Sequence, residues 1–265
     1  MSSDEALAYA RQATLLGRAA GVSPTYELSY GADPAHRLEV YAPDDARGLP
    51  VVVFLHGGGW THGGLEWLRF MAPAVMAVPA VFVAASYRLA PEHRWPAAFE
   101  DVCALLEYVR GLARREGYDD TRIVASGHSA GGHLAALATL RGQMSWLRAC
   151  FPVSSRFDMR HPNPAPNSGE ERVYKLVLAR PEQDADASPL RYVEGNRVPF
   201  HIVWGGADFK RVSTSSQAMV EALRGNGSGI SRQIVAGAGH FDTHLMLGSR
   251  DNPWYERLKE VLRPC

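Results

Sequence analysis

The sequence predicts an α/β fold in which one mainly parallel sheet is covered by helices on both faces. Three observations carry this. Short continuous apolar runs, such as Val51-Val52-Val53-Phe54-Leu55 and Ile123-Val124-Ala125-Ser126, have the length of strands buried on both sides. Between such runs lie segments with apolar residues at helical spacing, as in Phe99, Val102, Leu106, Val109 and Leu112. The two kinds alternate through most of the 265 residues, the pattern of strand-helix-strand crossovers.

The elements follow in order. Residues 4 to 20 have helical composition. Tyr26 to Tyr30 and Arg37 to Tyr41 read as two strands joined by the turn Gly31-Ala32-Asp33-Pro34, an antiparallel edge hairpin. Pro50 to Leu55 is a β-branched run, residues 64 to 76 suggest a helix, and Ala80 to Tyr87 is a further strand. A helix over 97 to 115, a strand at Thr121 to Ser126, a helix at Ala130 to Leu140 and a strand at Leu147 to Val153 continue the alternation. It resumes with strands at Pro199 to Trp204 and Arg232 to Val235 and helices near 213 to 224 and 253 to 262. Residues 154 to 195 break the rhythm with Pro162, Pro164, Pro166 and a short helical piece around 170 to 179. A connection this long inside a compact domain reads as a lid or insertion, so 1 to 265 is expected to be a single domain carrying it.

Composition narrows the function classes. With 46% hydrophobic and 21% charged residues the chain is globular and has material for a substantial core. Lys plus Arg and Asp plus Glu each total 28, so no net field favours nucleic acid or an anionic membrane surface. No apolar stretch reaches membrane-spanning length, and the N-terminal region, with Asp4 and Glu5, lacks the apolar run of a signal peptide. A cytoplasmic protein is expected. Cys103, Cys150 and Cys265 show neither metal-ligand spacing nor a disulfide framework, so they are read as reduced thiols, the first two as core residues.

The chemistry concentrates where strands end, because open parallel sheets bind ligands beyond the carboxyl ends of their strands. After Ile123 to Ser126 comes Gly127-His128-Ser129-Ala130-Gly131-Gly132, directly followed by an Ala/Leu-rich helical run. This is G-x-S-x-G in a strand-turn-helix setting, where small neighbours let a sharp turn expose the serine hydroxyl. Ser129 is therefore the candidate nucleophile, against the plainer reading of a helix cap. A serine needs a base, and the base needs an acid to orient it. His240, in the glycine-rich loop Gly237-Ala238-Gly239-His240 after the last strand, is the candidate base. Asp208, beyond Trp204-Gly205-Gly206-Ala207, is the candidate acid. Asp158, Asp184, Asp186 and Asp242 fit less well and read as caps or solvated turns. His128 and His133 read as packing or surface residues, His201 as a core or edge residue, and His244 as part of the following helix. His56-Gly57-Gly58-Gly59-Trp60 follows an early strand, the place of the HGGG-type loop that supplies backbone N–H groups to a developing oxyanion, with Ala130 as the donor after the nucleophile.

HGGGW, Tyr87-Arg88-Leu89-Ala90-Pro91-Glu92-His93, GHSAGG, Asp186-Ala187-Ser188-Pro189-Leu190 and Gly239-His240-Phe241 together resemble the hormone-sensitive-lipase-like esterases of the α/β-hydrolase superfamily, from about residue 36 onward. The resemblance implies an α/β-hydrolase fold and a triad of Ser129, Asp208 and His240. It further implies an oxyanion hole from Gly58, Gly59 and Ala130, with Arg88 and Glu92 as a buried pair. Hydrolysis of a small carboxylic ester through an acyl-enzyme is expected, with no cofactor and no metal. Tyr30-Gly31, Arg37 to Tyr41 and Gly239-His240-Phe241-Asp242 also resemble kynurenine-formamidase-like relatives, which implies as an alternative an arylformamidase or other amidase acting on an N-formyl or N-acyl aryl amine. A second alternative, from another class, is a non-catalytic ligand-binding module on the same fold. Trp60 and Trp204 are candidates for lining the substrate pocket. A small-molecule ester or amide is the expected partner, with neither nucleic acid nor membrane.

Overall fold

Five of five side chains in the run Val51 to Leu55 are buried, which only a sheet covered on both faces allows. The computed structural model describes residues 3–161 and 163–264, so the reading of Cys265 as a reduced thiol lies outside the described residues. Its eight strands are β1 (Tyr26–Ser29), β2 (Arg37–Tyr41), β3 (Val51–Leu55), β4 (Val81–Ala85), β5 (Ile123–His128), β6 (Ala149–Val153), β7 (Phe200–Gly205) and β8 (Ile230–Val235). They form one sheet in the order β1-β2-β4-β3-β5-β6-β7-β8. The β1/β2 and β2/β4 pairings are antiparallel and the remainder parallel.

The helices are α1 (Ser3–Ala19), α2 (Ala72–Met76), α3 (Ala97–Glu116), α4 (Ala130–Leu140), α5 (Gly169–Arg172), α6 (Lys210–Gly225), α7 (Asp242–Leu245) and α8 (Pro253–Val261). The pleat sorts the strand side chains into two cores. Val51, Val53 and Leu55 join Val102, Leu134 and Met219, so α3, α4 and α6 cover that face. Val52 and Phe54 join Tyr9, Val75 and Trp254, so α1, α2 and α8 cover the other. Each such large apolar side chain contributes about 1.5–3 kcal/mol when fully buried. Both Cys103 and Cys150 are free, and Cys150 is fully buried. No helix among the described residues is long and apolar enough to cross a membrane.

The chain lays down β3, moves outward to β4, and then returns across β3 to begin β5. Neighbouring strands whose connections leave in opposite directions open a crevice at their carboxyl ends, and β3 and β5 are such a pair, with Leu55 opposite Gly127. Both the glycine loop and the candidate nucleophile follow from these two strands.

Two expectations need correction. Residues 64 to 76 do not form one helix: 3₁₀ turns at Leu65–Trp67 and Arg69–Met71 precede the short α2. Pro73 is the cause. It has no N–H for the Arg69 carbonyl, which accepts from Ala72 N instead, and proline is tolerated only in the first turn of the new helix. The partner of Arg88 is Asp101, not Glu92, which is exposed. Asp101 lies on the buried face of α3 and accepts from Arg88 Nε (2.9 Å), Nη2 (2.6 Å) and backbone N (2.8 Å). His36 Nε2 stands 3.0 Å from the same carboxylate.

The 154 to 195 connection is docked on the sheet rather than extended into solvent. Val173, Val177, Leu178, Ala187 and Val193 are buried in the α3/α4/α6 core, Trp95 N–H donates to Val177 O, and Arg156 pairs with Glu170 at 3.0 Å. Its helical piece is α5 continued by a π turn over Val173–Val177.

Asp101 is 2% exposed and Arg88 has no other carboxylate within ion-pair distance among the described residues. Asp101→Ala is expected to cost about 3 kcal/mol, the scale for stranding one member of a buried ion pair, read as a lower urea midpoint with unchanged m-value.

Candidate active site

Ser129 sits between the last residue of β5 and the first of α4 with φ 53° and ψ −114°, a backbone region that costs a non-glycine residue about 1–3 kcal/mol. Its N–H donates to Val153 O (2.8 Å) and its carbonyl accepts from His133 N (3.0 Å), so strand β6 and helix α4 hold the turn from both sides. The surrounding glycines are there for space. A Cβ at Gly127 would lie 2.5 Å from Gly131 C, and one at Gly131 would lie 2.2 Å from Leu55 O. At Gly132 it would meet Ser155 Oγ at 2.1 Å. The G-x-S-x-G-G spacing is thus the footprint of a helix that starts against the neighbouring strand ends.

The glycine loop comes to the same place from β3. Gly57 packs against Ser129, where an added Cβ would stand 3.4 Å from the serine Cβ and 2.8 Å from His128 Nδ1. Gly58 and Gly59 have φ 112° and 62°, and Trp60 shares the left-handed region at 61°. Gly58 O accepts from Thr61 N (3.2 Å) and His62 N (3.1 Å), closing the turn. Among the described residues, the N–H groups of Gly58, Gly59 and Ala130 make no hydrogen bond, and a Cβ on Gly59 would point into open space. Donors of this kind, one at a helix N-terminus, are suited to an anionic oxygen.

His240 Nε2 lies 2.9 Å from Ser129 Oγ, and its Nδ1 lies 2.8 Å from Asp208 Oδ1. Both side chains are nearly or fully buried. With Nδ1–H donating to the carboxylate, Nε2 is the acceptor for the serine hydroxyl. The loop reaches this position because Gly205, closing β7, has no side chain: a Cβ there would lie 2.1 Å from Ala238 O. Ala207 N donates to that same carbonyl at 2.9 Å, and Gly239 N donates to Asp242 Oδ2 at 2.8 Å. Burial pushes the Asp208 carboxyl up. The His240 hydrogen bond and charge, the Ser154 hydroxyl and the Phe209 N–H outweigh it, holding the group below its ordinary value.

Sequence reasoning missed Ser154. Its Oγ donates to Asp208 Oδ2 at 2.5 Å and lies 2.7 Å from Thr243 Oγ1, whose one proton has two acceptors in reach, Ser154 Oγ and His240 O. Ser154 has φ 48° and follows β6 directly, so its place at the carboxyl end of a strand was the available signal. The two pocket aromatics separate. Trp60 lines an apolar recess with Trp95, Leu134, Met159, Val177 and Leu178. Trp204 does not: Phe200, Ile202 and Trp204 alternate along β7 into the α3/α4/α6 core, where Trp204 is buried.

A crossover sheet carrying a serine at a strained strand-helix turn and a histidine loop after its last strand defines the α/β-hydrolase class. Residues 52–241 match the family described as the alpha/beta hydrolase fold, and the chain belongs to it. It is 32% identical over 247 residues to Esterase LipC of Mycobacterium tuberculosis (strain ATCC 25618 / H37Rv), covering 84% of this chain and 61% of that protein. It is 26% identical over 241 residues to isoprenylcysteine alpha-carbonyl methylesterase ICME of Arabidopsis thaliana, covering 82% and 56%. The chain thus spans about three-fifths of the length of these two relatives. Among solved structures, the carboxylesterase EstE1, cloned from a metagenomic library, superposes with a TM-score of 0.82 at 25% identity, covering 99% of both chains.

Five further histidines are buried around the site and the sheet. His56 stacks on Tyr87 (4.4 Å between centroids), and His128 stacks on His244 (5.0 Å) and donates from Nε2 to His240 O. The Tyr9 hydroxyl on α1 lies 2.8 Å from His244 Nδ1. Burial pushes His56, His133 and His201 down to about 4 and His244 down to about 3, and drives His128 well below its usual value. Each ring is neutral in the folded chain and gains a proton on unfolding below its ordinary value of 6.5. The unfolded state then binds more protons, so this stability is complete above pH 6.5 and is lost as pH falls toward 4. Urea midpoints measured at constant ionic strength from pH 7.5 to 4.5 are expected to fall steadily, and His201→Gln to make the fall shallower; a flat series contradicts the assignment.

Proposed function

We propose that the protein is a serine hydrolase that cleaves small carboxylic esters through an acyl-enzyme intermediate. The observation that carries this is the hydrogen-bonded chain from Ser129 Oγ through His240 to Asp208, opening beside three unpartnered N–H groups at Gly58, Gly59 and Ala130. His240 Nε2 takes the Ser129 proton as Oγ attacks the ester carbonyl. Asp208 keeps the Nδ1 proton in place and stabilises the imidazolium. The carbonyl oxygen becomes an oxyanion held by the three N–H groups. The C–O bond to the alcohol then breaks, and His240 returns its proton to the leaving oxygen. Water repeats the sequence on the acyl-serine, releasing the acid and restoring Ser129.

The names of the relatives, esterases and a methylesterase, favour an ester over an amide. A fluorophosphonate is expected to label the protein covalently, with Ser129→Ala abolishing labelling and lowering kcat roughly 10⁴-fold or more. Equal labelling of wild type and Ser129→Ala, or none of the folded wild type, refutes the proposal and leaves the ligand-binding alternative. Short-acyl aryl esters are expected to exceed N-formyl aryl amines in kcat/KM; the reverse order assigns the amidase. Ser154→Ala, which removes one hydroxyl from the Asp208 carboxylate, is expected to lower kcat about tenfold, as for a hydrogen bond to a charged group.

A further inference from the structure

The proposed oxyanion hole is split between two elements: Gly58 and Gly59 belong to the loop after β3, whereas Ala130 opens α4. Its geometry depends on how those elements are tied. Among the described residues, one hydrogen bond joins residues 56–64 to residues 129–140, from Trp60 Nε1 to His133 Nδ1 at 3.2 Å. We infer that His133, one helical turn beyond Ser129, is a positioning residue that holds the glycine loop in register with the nucleophile. The inference rests on the hydrolase reading.

Three observations support it. Trp60 has φ 61°, a conformation that a bulky residue keeps only where its surroundings hold it. Those surroundings are Ala90 N–H donating to its carbonyl at 2.9 Å and the His133 ring, edge-on to the indole at 5.0 Å and 89°. The adjacent Gly59 is also left-handed, so the rotation of the Trp60 side chain and the direction of the Gly59 N–H are set by consecutive dihedrals. Finally, the tautomer of His133 is dictated from outside. Its Nε2 lies 2.7 Å from Ala187 O, a carbonyl that can only accept, so Nε2 carries the proton and Nδ1 is left free to receive the indole N–H. Burial supports the same neutral form. One imidazole therefore joins the glycine loop, the nucleophile's helix and the 154 to 195 connection.

The test compares His133→Leu, His133→Gln, Trp60→Phe and the double variant His133→Leu/Trp60→Phe, using a short-acyl aryl ester and the rate of fluorophosphonate labelling. His133→Leu and Trp60→Phe are each expected to lower kcat about tenfold to a hundredfold with KM within about twofold, the pattern of a misplaced oxyanion donor. The double variant is expected to be no worse than either single one, because both cut the same link. Glutamine, which supplies one acceptor and one donor, is expected to restore much of kcat. Lower melting temperatures with unchanged kcat, or multiplicative losses in the double variant, overturn the inference while leaving the hydrolase reading intact. If His133→Leu does not fold, Trp60→Phe, which deletes one donor and keeps a ring, decides. Wild type without turnover or labelling instead removes the hydrolase reading itself.

Discussion

A serine in left-handed backbone, squeezed between the ends of two adjacent strands, is the constraint around which the molecule is arranged. The turn at Ser129 requires α4 to begin within van der Waals reach of the β3 carbonyls, and that approach leaves no room for a Cβ at Gly127, Gly131 or Gly132. The same crowding explains Gly57, whose missing side chain brings the glycine loop against Ser129. Strain of this size persists because the turn is over-determined: β6 takes its N–H, α4 takes its carbonyl and the sheet buries everything behind it.

A second layer of organisation is electrostatic. The one ionised carboxylate behind His240 keeps its charge despite burial because Ser154, Phe209 N–H and His240 itself all donate to it. The other nearby rings, His56, His128, His133 and His244, are held neutral by burial and so put no competing positive charge beside Asp208. Their work is done by shape and by hydrogen bonds of the neutral ring, as from His128 to the His240 carbonyl, and at His133 from the Trp60 indole and to the Ala187 carbonyl. Titratable side chains thus serve here as rigid polar rings.

What the sequence disclosed follows from where the physical demand was local. Glycine positions, proline positions and apolar runs are requirements of the backbone nearest them, so the sheet, the Ser129 turn and the loop at residues 56 to 60 were legible. The long-range pairings were not. Arg88 could have met any carboxylate, and only the packing of α3 selects Asp101. Ser154 is one of several serines near a strand end until the sheet sets it beside Asp208. Trp204 shares its composition with Trp60, but the two-residue pleat of β7 turns it to the core. The break at Pro73 was written in the chain and outweighs the helical composition around it.

The sheet order has a consequence for assembly. Leu55 and Gly127 are partners across parallel strands, yet some seventy residues separate them, and β4 and α3 lie between. Neither the glycine loop nor the serine turn is a motif that a local fragment can hold, since each is shaped by the ends of the other's strand. Pairings of such sequence separation slow folding, because the entropy of loop closure is lost before their contacts compensate it. The juxtaposition of Gly57, Ser129 and His240 therefore belongs to the assembled sheet and to no single segment of the chain.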